Sequence, residues 1–367
     1  MTKFPTTHFE RAFMRRILII ISFFLMTIFA FSCTTAPSEN TSKISSSPSA
    51  NSKKIRIGFA MDAFKQARWE KDKALFLKRA EELGAEVLLQ IADGNDEMQM
   101  KQVESLLTQG IDVLVIVPHN AEVAGAMVEK AHKQGVPVIS YDRLVRSSSP
   151  DLYISFDNER VGEMQAKYLV DHQPSGNYVL IGGAPTDNNA LLLRKGQMRI
   201  LQPFIDSGAI KIVADQWAKE WLVDEALKIA ENALTQNHND IAAMVVSNDG
   251  TAGGAVQAVA AKNLGGKIFI SGQDAEIGAL QRILAGTQSM TVYKPISRLA
   301  PAAVDAAVAL AKKEKLSTTR VVNNETIDVP SILIDPITID KNNINVVIDD
   351  GFQSREDVYR YADQKPN

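Results

Sequence analysis

Cysteine is almost absent from this chain of 367 residues, in which Cys33 is the only one. No disulfide can form within the chain, so the folded body must be stabilised by an apolar core, which a body of this size can bury. An excess of basic residues is absent too. The net charge is −3, and because the first 33 residues carry +3, the remainder carries −6. This acidic remainder argues against a nucleic-acid partner, because phosphate neutralisation dominates that affinity.

Signatures of catalysis, metal binding and cofactor binding are also missing. The five histidines are scattered, and no metalloprotease motif, serine-hydrolase elbow or phosphate-binding loop occurs. The glycine-rich run 250–254 does not match the dinucleotide fingerprint, and the acidic run 93–97 lacks the spacing of a calcium loop. We therefore predict no cofactor, no metal site and no enzymatic activity. A glycosidase could use two of the carboxylates, but the many amides and cations favour binding.

A long apolar run occurs only near the N-terminus, over residues 17–31. It is shorter than the roughly 20 residues of a membrane span. Because it follows Arg15 and Arg16 and ends in small residues, it predicts a signal peptide, with the true start at Met1 or Met14.

The signal peptide is expected to end at Cys33, because Ala30-Phe31-Ser32-Cys33 resembles a bacterial lipobox. We expect lipidation of Cys33; the alternative is ordinary cleavage before Cys33 that leaves a free thiol. Residues 34–54 are rich in Ser, Thr, Asn and Pro and predict a flexible linker. A signal peptide over 1–33 and a linker over 34–54 indicate an extracytoplasmic body, periplasmic or at the cell surface, held at a membrane by a lipid anchor.

The body alternates apolar strands with amphipathic helices, which predicts an α/β fold with two Rossmann-like lobes built on parallel sheets. The pattern runs over 55–141 and restarts over 178–284. An alanine-rich helix over 296–313 is expected to return to the first lobe, so the chain crosses more than once. We expect crossings near 153–158, Val292 and Val329. The predicted lobes are 55–155 with 293–328, and 156–292 with 329–367.

Polar side chains follow the predicted strands one after another. Open α/β sheets bind ligands beyond the carboxyl ends of their strands. A neutral polyol suits such carboxylates, amides, cations and aromatics, because each hydroxyl both donates and accepts and an indole can cover an apolar ring face. The candidates at these tips and adjoining loops are Arg68, Trp69, Asp142, Arg143, Asn188, Asn189, Trp217, Trp221, Asn248, Asp274 and Lys294.

Most of these residues also have a structural explanation. Trp69 fits a helical apolar pattern, so core packing explains it equally well. At least one of Trp217 and Trp221 is expected to be structural, and Trp221 is our choice for the ligand. Asp142 and Arg143 could form a surface ion pair with each other. Asp187 and Asn248 could be helix N-caps.

Seven short motifs spread over both halves carry a family resemblance: ARWEKD (67–72), VISYDR (138–143), YISFDNE (153–159), DNNA (187–190), SND (247–249), SGQDA (271–275) and TVYKP (291–295). As a set they resemble the type I sugar-binding proteins that serve ABC transporters, in particular those that bind D-xylose. The resemblance extends from about residue 55 to about residue 352.

This resemblance implies two lobes joined by a three-strand hinge, which close on a pentose and then dock on a permease. Trp69 and Trp221 would lie against the sugar ring, while His119 and Asp187 would be peripheral. The implied partners are a monosaccharide, D-xylose, and an ABC transporter permease, and we expect a monomer. A sugar-sensing ectodomain and a secreted carbohydrate-active enzyme stay open as alternatives. The hydroxyl contacts implied are Arg68, Asp142, Arg143, Asn189, Asn248, Asp274 and Lys294.

Overall fold

A computed structural model describes residues 54–63, 68–318 and 320–361. The predicted signal peptide, Cys33 and all of the predicted linker except Lys54 lie outside these residues. In the described ranges, no helix combines the length and the apolar character needed to span a membrane.

Strands and helices alternate through the first part of the body. Their bounds are β1 Arg56–Met61, α1 Arg68–Glu82, β2 Glu86–Ile91, α2 Asp96–Thr108, β3 Val113–Ile116, α3 Gly125–Lys133, β4 Val138–Tyr141, β5 Leu152–Phe156, α4 Asn158–His172, β6 Gly176–Gly182, α5 Asn188–Asp206 and β7 Ile210–Trp217.

After a short 3-10 turn, Lys219–Trp221, the alternation continues. The remaining bounds are α6 Val223–Gln236, β8 Ala243–Val246, α7 Asp249–Ala261, β9 Phe269–Ile270, α8 Ile277–Leu284, β10 Thr291–Tyr293, α9 Ile296–Ala311, β11 Arg320–Asn323, β12 Asp328–Ile334, β13 Ile337–Ile339, α10 Asn345–Asp349 and α11 Arg355–Tyr359.

The strands form two main sheets. The larger has the order β11-β12-β5-β4-β3-β1-β2 and is parallel except for the β11–β12 pair at its edge. The smaller has the order β7-β6-β8-β9 and is parallel throughout. A third, two-stranded antiparallel sheet joins β10 to β13. We call the larger sheet with its helices the first lobe and the smaller sheet with its helices the second lobe.

Each main sheet separates two apolar cores, because successive side chains of a strand point to opposite faces. In β3, Val113 and Val115 belong to the cluster that includes α1 and α9, whereas Leu114 and Ile116 face the cluster that includes α2 and α3. The strand β6 divides the second lobe in the same way. Strands buried on both faces appear in the sequence as continuous apolar runs, which is why the parallel sheets could be predicted.

The predicted fold class is confirmed, and so is the return of the alanine-rich helix, since α9 packs against α1. The helix α4, by contrast, was not predicted, although its N-cap Asp157 accepts a hydrogen bond from the Arg160 amide. A crossing was predicted near Val329, but β12 pairs with β5 and continues in the larger sheet to Ile334. The predicted limits of the two lobes stay a prediction. The pairing of β12 with β5 would change them by assigning β12 to the first lobe.

Candidate functional site

A cavity of about 20 Å³ lies where the carboxyl ends of the two main sheets face each other. All nine side chains predicted to contact a ligand line it, together with two others. The lining residues are Arg68, Trp69, Asp142, Arg143, Asp187, Asn189, Trp221, Asn248, Gln273, Asp274 and Lys294. The structure thus gathers the predicted residues at one place, while their role as ligand contacts stays a prediction.

Both lobes supply the lining through the ends of helices and strands. Arg68 and Trp69 begin α1, and Asn248 is the N-cap of α7, where it accepts a hydrogen bond from the Thr251 amide. Asp142 follows β4 and Asp274 follows β9, with backbone φ angles of 60° and 96°. Left-handed backbone at residues other than glycine costs free energy and is concentrated at functional sites.

Arg68 is the centre of a buried charge network that spans the cavity. It is 4% exposed, and its Nη2 donates to Asp142 at 2.9 Å and to Asp72 at 3.1 Å. Its Nη1 lies 3.6 Å from Asp274 of the second lobe, and the Lys294 ammonium lies 3.0 Å from the same carboxylate. Cations of the first lobe and of the crossing segment therefore converge on one carboxylate of the second.

The Asp142 carboxylate is held ionised by these cations. Burial alone would raise its pKa, but Arg68, Lys294 and Arg143 outweigh burial and keep the pKa below its usual range. An ionised, buried Asp142 is a strong hydrogen-bond acceptor.

Two atoms of this network are buried and have no hydrogen-bond partner among the described residues. They are Arg68 Nε, which is a donor, and Asp274 Oδ1, which is an acceptor. The Lys294 ammonium lies 3.0 Å from Asp274 Oδ1, but not in the geometry of a hydrogen bond. A third is Gln273 Oε1, in a residue that sequence reasoning did not select. Buried polar groups are nearly always satisfied in folded proteins. These atoms are therefore suited to a polar ligand that donates and accepts in the same small space.

Arg143 forms a second bridge between the lobes. Its Nη1 donates to Asp62 at 2.7 Å, and its Nε lies 2.9 Å from Asp187 of the second lobe. Asp187 was expected to be peripheral to the ligand, yet it is among the residues that line the cavity. The N-cap alternative for Asp187 is also confirmed, since it accepts from the Asn189 amide. Burial raises the pKa of Asp187 in spite of the neighbouring Arg143.

The two tryptophans of the cavity are placed differently. Trp69 is 3% exposed and belongs to the core of the first lobe, so the packing explanation and the lining position both hold. The Arg68 guanidinium lies 4.5 Å from the centre of its ring. Trp221 donates its indole N–H to Asp187 at 3.2 Å. Trp217 does not line the cavity and instead packs beneath the Arg194 guanidinium.

Asp72 and Tyr141 support the cavity from below and were not predicted. Asp72 is fully buried one helical turn after Arg68, and the Tyr141 hydroxyl donates to it. Burial raises the pKa of Asp72 to about 6, although Arg68 opposes this shift. An acidic residue four positions after an arginine on a helix is the sequence signal that could have indicated this pair.

Comparison with known families gives a match to the periplasmic binding protein domain over residues 57–315. A D-xylose-binding periplasmic protein of Haemophilus influenzae is 52% identical over 314 residues, which cover 85% of this chain and 95% of that protein. Its counterpart in Escherichia coli is 51% identical over 319 residues, covering 87% and 97%.

A solved structure extends the likeness to the fold. The carbohydrate transporter solute-binding protein from Chloroflexus aurantiacus, in complex with D-glucose, superposes with a TM-score of 0.79 at 33% identity. The match covers 83% of this chain and 98% of that one.

Proposed function

Because the chain belongs to the periplasmic binding protein family, we propose that it captures a monosaccharide, D-xylose, between its two lobes and delivers it to an ABC transporter permease. The observation that carries this proposal is the cavity between the sheets, in which the buried atoms Arg68 Nε and Asp274 Oδ1 have no hydrogen-bond partner in the part of the chain that the structure describes. D-xylose is favoured over other sugars by the two relatives that are about half identical in sequence.

The lining offers each sugar hydroxyl both a donor and an acceptor. Arg68, Arg143 and Lys294 donate, while Asp142 and Asp274 accept. Hydrogen bonds to charged groups are the stronger ones, and a sugar that leaves one of these groups unpaired in a closed site binds less well. The site therefore discriminates between sugars by the positions of their hydroxyls.

The apolar side of the sugar ring would be covered by Trp69 and Trp221. The indole of Trp221 keeps its N–H on Asp187, which leaves its face available for C–H groups. Trp69 is fixed by the core of the first lobe and provides a rigid second wall.

Binding would be coupled to closure, because the charged pairs that line the cavity join opposite lobes. Arg143 lies 2.9 Å from Asp187, and Arg68 lies 3.6 Å from Asp274. A sugar between the lobes would share these charges and stabilise the closed form, which is the form that a permease would recognise.

The anchor and the location are part of the same proposal. We propose that Cys33 is lipidated after signal cleavage and that the protein acts as a monomer on the outer side of a cytoplasmic or outer membrane. Mass spectrometry of the mature N-terminus tests the anchor: a diacylglyceryl adduct on Cys33 supports it, and an unmodified Cys33 contradicts it.

Calorimetric titration of the body with D-xylose, D-glucose, D-ribose and L-arabinose tests the ligand. We expect saturable binding of one D-xylose per chain, tighter than that of the other three sugars. Absence of heat with all four would refute the sugar-binding function, and tighter binding of another sugar would replace D-xylose.

A further inference from the structure

His119 lies at the mouth of the cleft among acidic side chains of both lobes. It follows β3 of the first lobe, and its Nδ1 is 3.0 Å from Asp62 Oδ1. Its Nε2 faces Glu220 at 3.9 Å and Asp96 at 4.0 Å. Glu220 belongs to the second lobe, in the turn after β7, so the imidazole ring lies between carboxylates of opposite lobes.

The turn that carries Glu220 also carries Trp221 into the sugar cavity. Both residues have left-handed backbone, with φ angles of 55° and 58°. Such a backbone is unfavourable for residues other than glycine, and it persists only where surrounding contacts fix it. The contacts that reach this turn across the cleft are therefore important for the position of the Trp221 ring.

A second series of contacts connects His119 to Trp221. The other oxygen of Asp62 accepts from Arg143 at 2.7 Å, Arg143 lies 2.9 Å from Asp187, and Asp187 accepts the indole N–H of Trp221 at 3.2 Å. The same residues, with His119 and Glu220, surround a small second cavity beside the first. The two series of contacts thus form a closed circuit: one reaches the turn at Glu220 from His119, and the other reaches it at Trp221 through Asp62, Arg143 and Asp187.

The charge of the His119 imidazole decides whether His119 and Glu220 attract each other across the cleft. As an imidazolium, His119 attracts Glu220 and Asp96 on one side and Asp62 on the other, and Asp62 is already shared with the Arg143 cation. As a neutral ring it retains the hydrogen bond to Asp62 but loses the attraction across the cleft. Asp96 Oδ1 is buried without a hydrogen bond within the described ranges, which increases the cost of leaving it unneutralised.

We propose that His119 is a positioning residue for sugar binding: in its protonated form it ties Glu220, and with it Trp221, to the first lobe and so favours the closed, sugar-bound state. This inference rests on the proposed function. It assigns to His119 a role in affinity without direct contact with the sugar, since His119 does not line the sugar cavity.

The direction of the pH dependence follows from the contacts. The hydrogen bond to Asp62 raises the pKa of His119, burial opposes this, and the charges of Asp62, Glu220 and Asp96 raise it further. Asp62 and Asp96 lie on the same lobe as His119, so of these charges only Glu220 raises the pKa of the closed form above that of the open form. This difference stabilises the closed form below the pKa of the open form. The contribution is lost as pH rises through the closed-form value. D-Xylose affinity should therefore fall towards alkaline pH.

Calorimetry with D-xylose between pH 5.5 and pH 9 tests this proposal on the wild type and on His119→Gln, Glu220→Gln and His132→Gln. The last is a matched control, because His132 pairs with Asp151 at a different part of the first lobe. We expect wild type and His132→Gln to lose about 2- to 5-fold in affinity over this range, the size of a partly exposed ion pair. His119→Gln and Glu220→Gln should bind more weakly at low pH and show little of this loss.

The comparison of wild type with His119→Gln also distinguishes the pH dependence caused by His119 from that caused by other titrating groups. Burial and Asp274 raise the pKa of Glu276 to about 7, so Glu276 could contribute its own pH dependence. A dependence that persists unchanged in a folded His119→Gln, as judged by circular dichroism, would refute the role of His119. A pH-independent wild type would refute it as well. A wild type that binds no sugar at any pH would instead refute the proposed function, and the inference with it.

Discussion

Gly183 is the residue on which the position of Trp221 depends most simply. It follows β6, and a Cβ atom built on it would overlap the six-membered ring of Trp221. Gly183 has no left-handed backbone, so alanine is excluded there by space alone. In Gly183→Ala the ring must retreat by about 1 Å or more to restore van der Waals separation.

A shift of that size breaks the hydrogen bond of 3.2 Å from the Trp221 indole to Asp187. A hydrogen bond to a charged group contributes about 1.5–3 kcal/mol to the stability of the fold. The affinity for D-xylose should fall because the displaced ring no longer covers the sugar, and an aromatic contact of about 0.5–1.5 kcal/mol corresponds to a fall of about 2- to 12-fold.

Gly182→Ala is the matched control for this experiment. A Cβ on Gly182 would overlap Trp217, which does not line the cavity. We expect this variant to lose some stability and to retain its affinity for D-xylose. Calorimetry measures both affinities, and thermal unfolding confirms that both variants fold. Wild-type affinity in Gly183→Ala, or an equal loss in the two variants, would contradict the placement of Trp221 against the sugar.

Three further predictions concern the charged network and the tryptophans. Asp274→Asn, which tolerates the left-handed backbone at this position, should weaken D-xylose binding by about 1–3 kcal/mol with an unchanged circular dichroism spectrum; unchanged affinity in calorimetry would exclude Asp274 as a contact. Asp72 has a folded pKa of about 6 against an unfolded value near 3.8, so its contribution to stability is greatest below the unfolded value and is lost as pH rises to about 6. The melting temperature of wild type minus that of Asp72→Asn should therefore decrease from pH 4.5 to pH 7.5, and a constant difference would show that Asp72 titrates normally. Trp217→Phe should retain the change in intrinsic fluorescence on addition of D-xylose that Trp69 and Trp221 produce, and loss of that change would assign the signal to Trp217.

The location of the site could be predicted from sequence because parallel strands end at one edge of their sheet. Asp142, Asn248 and Asp274 each follow an apolar run, and the topology alone brings them together. Arg68 and Lys294 were candidates on adjoining segments, and the family resemblance then gave each of them the role of a hydroxyl contact.

Other features depend on tertiary contacts that local patterns do not contain. The dual position of Asp187, as an N-cap and as a lining carboxylate, depends on Arg143 of the other lobe. The approach of His119 to Glu220 joins residues that are far apart in sequence. The crossing predicted near 153–158 falls on β5, which pairs with β4 and β12 in the larger sheet, and the helix α4 that follows it was not predicted.

A crystal structure of the body grown with D-xylose tests the central claim most directly. We predict one sugar between the two lobes, with hydroxyl oxygens about 2.7–3.2 Å from Arg68 Nε and from Asp274 Oδ1. Both atoms are buried and have no hydrogen-bond partner among the described residues. A sugar bound outside this cavity, or one inside it that leaves both atoms unpaired, would contradict the proposed site.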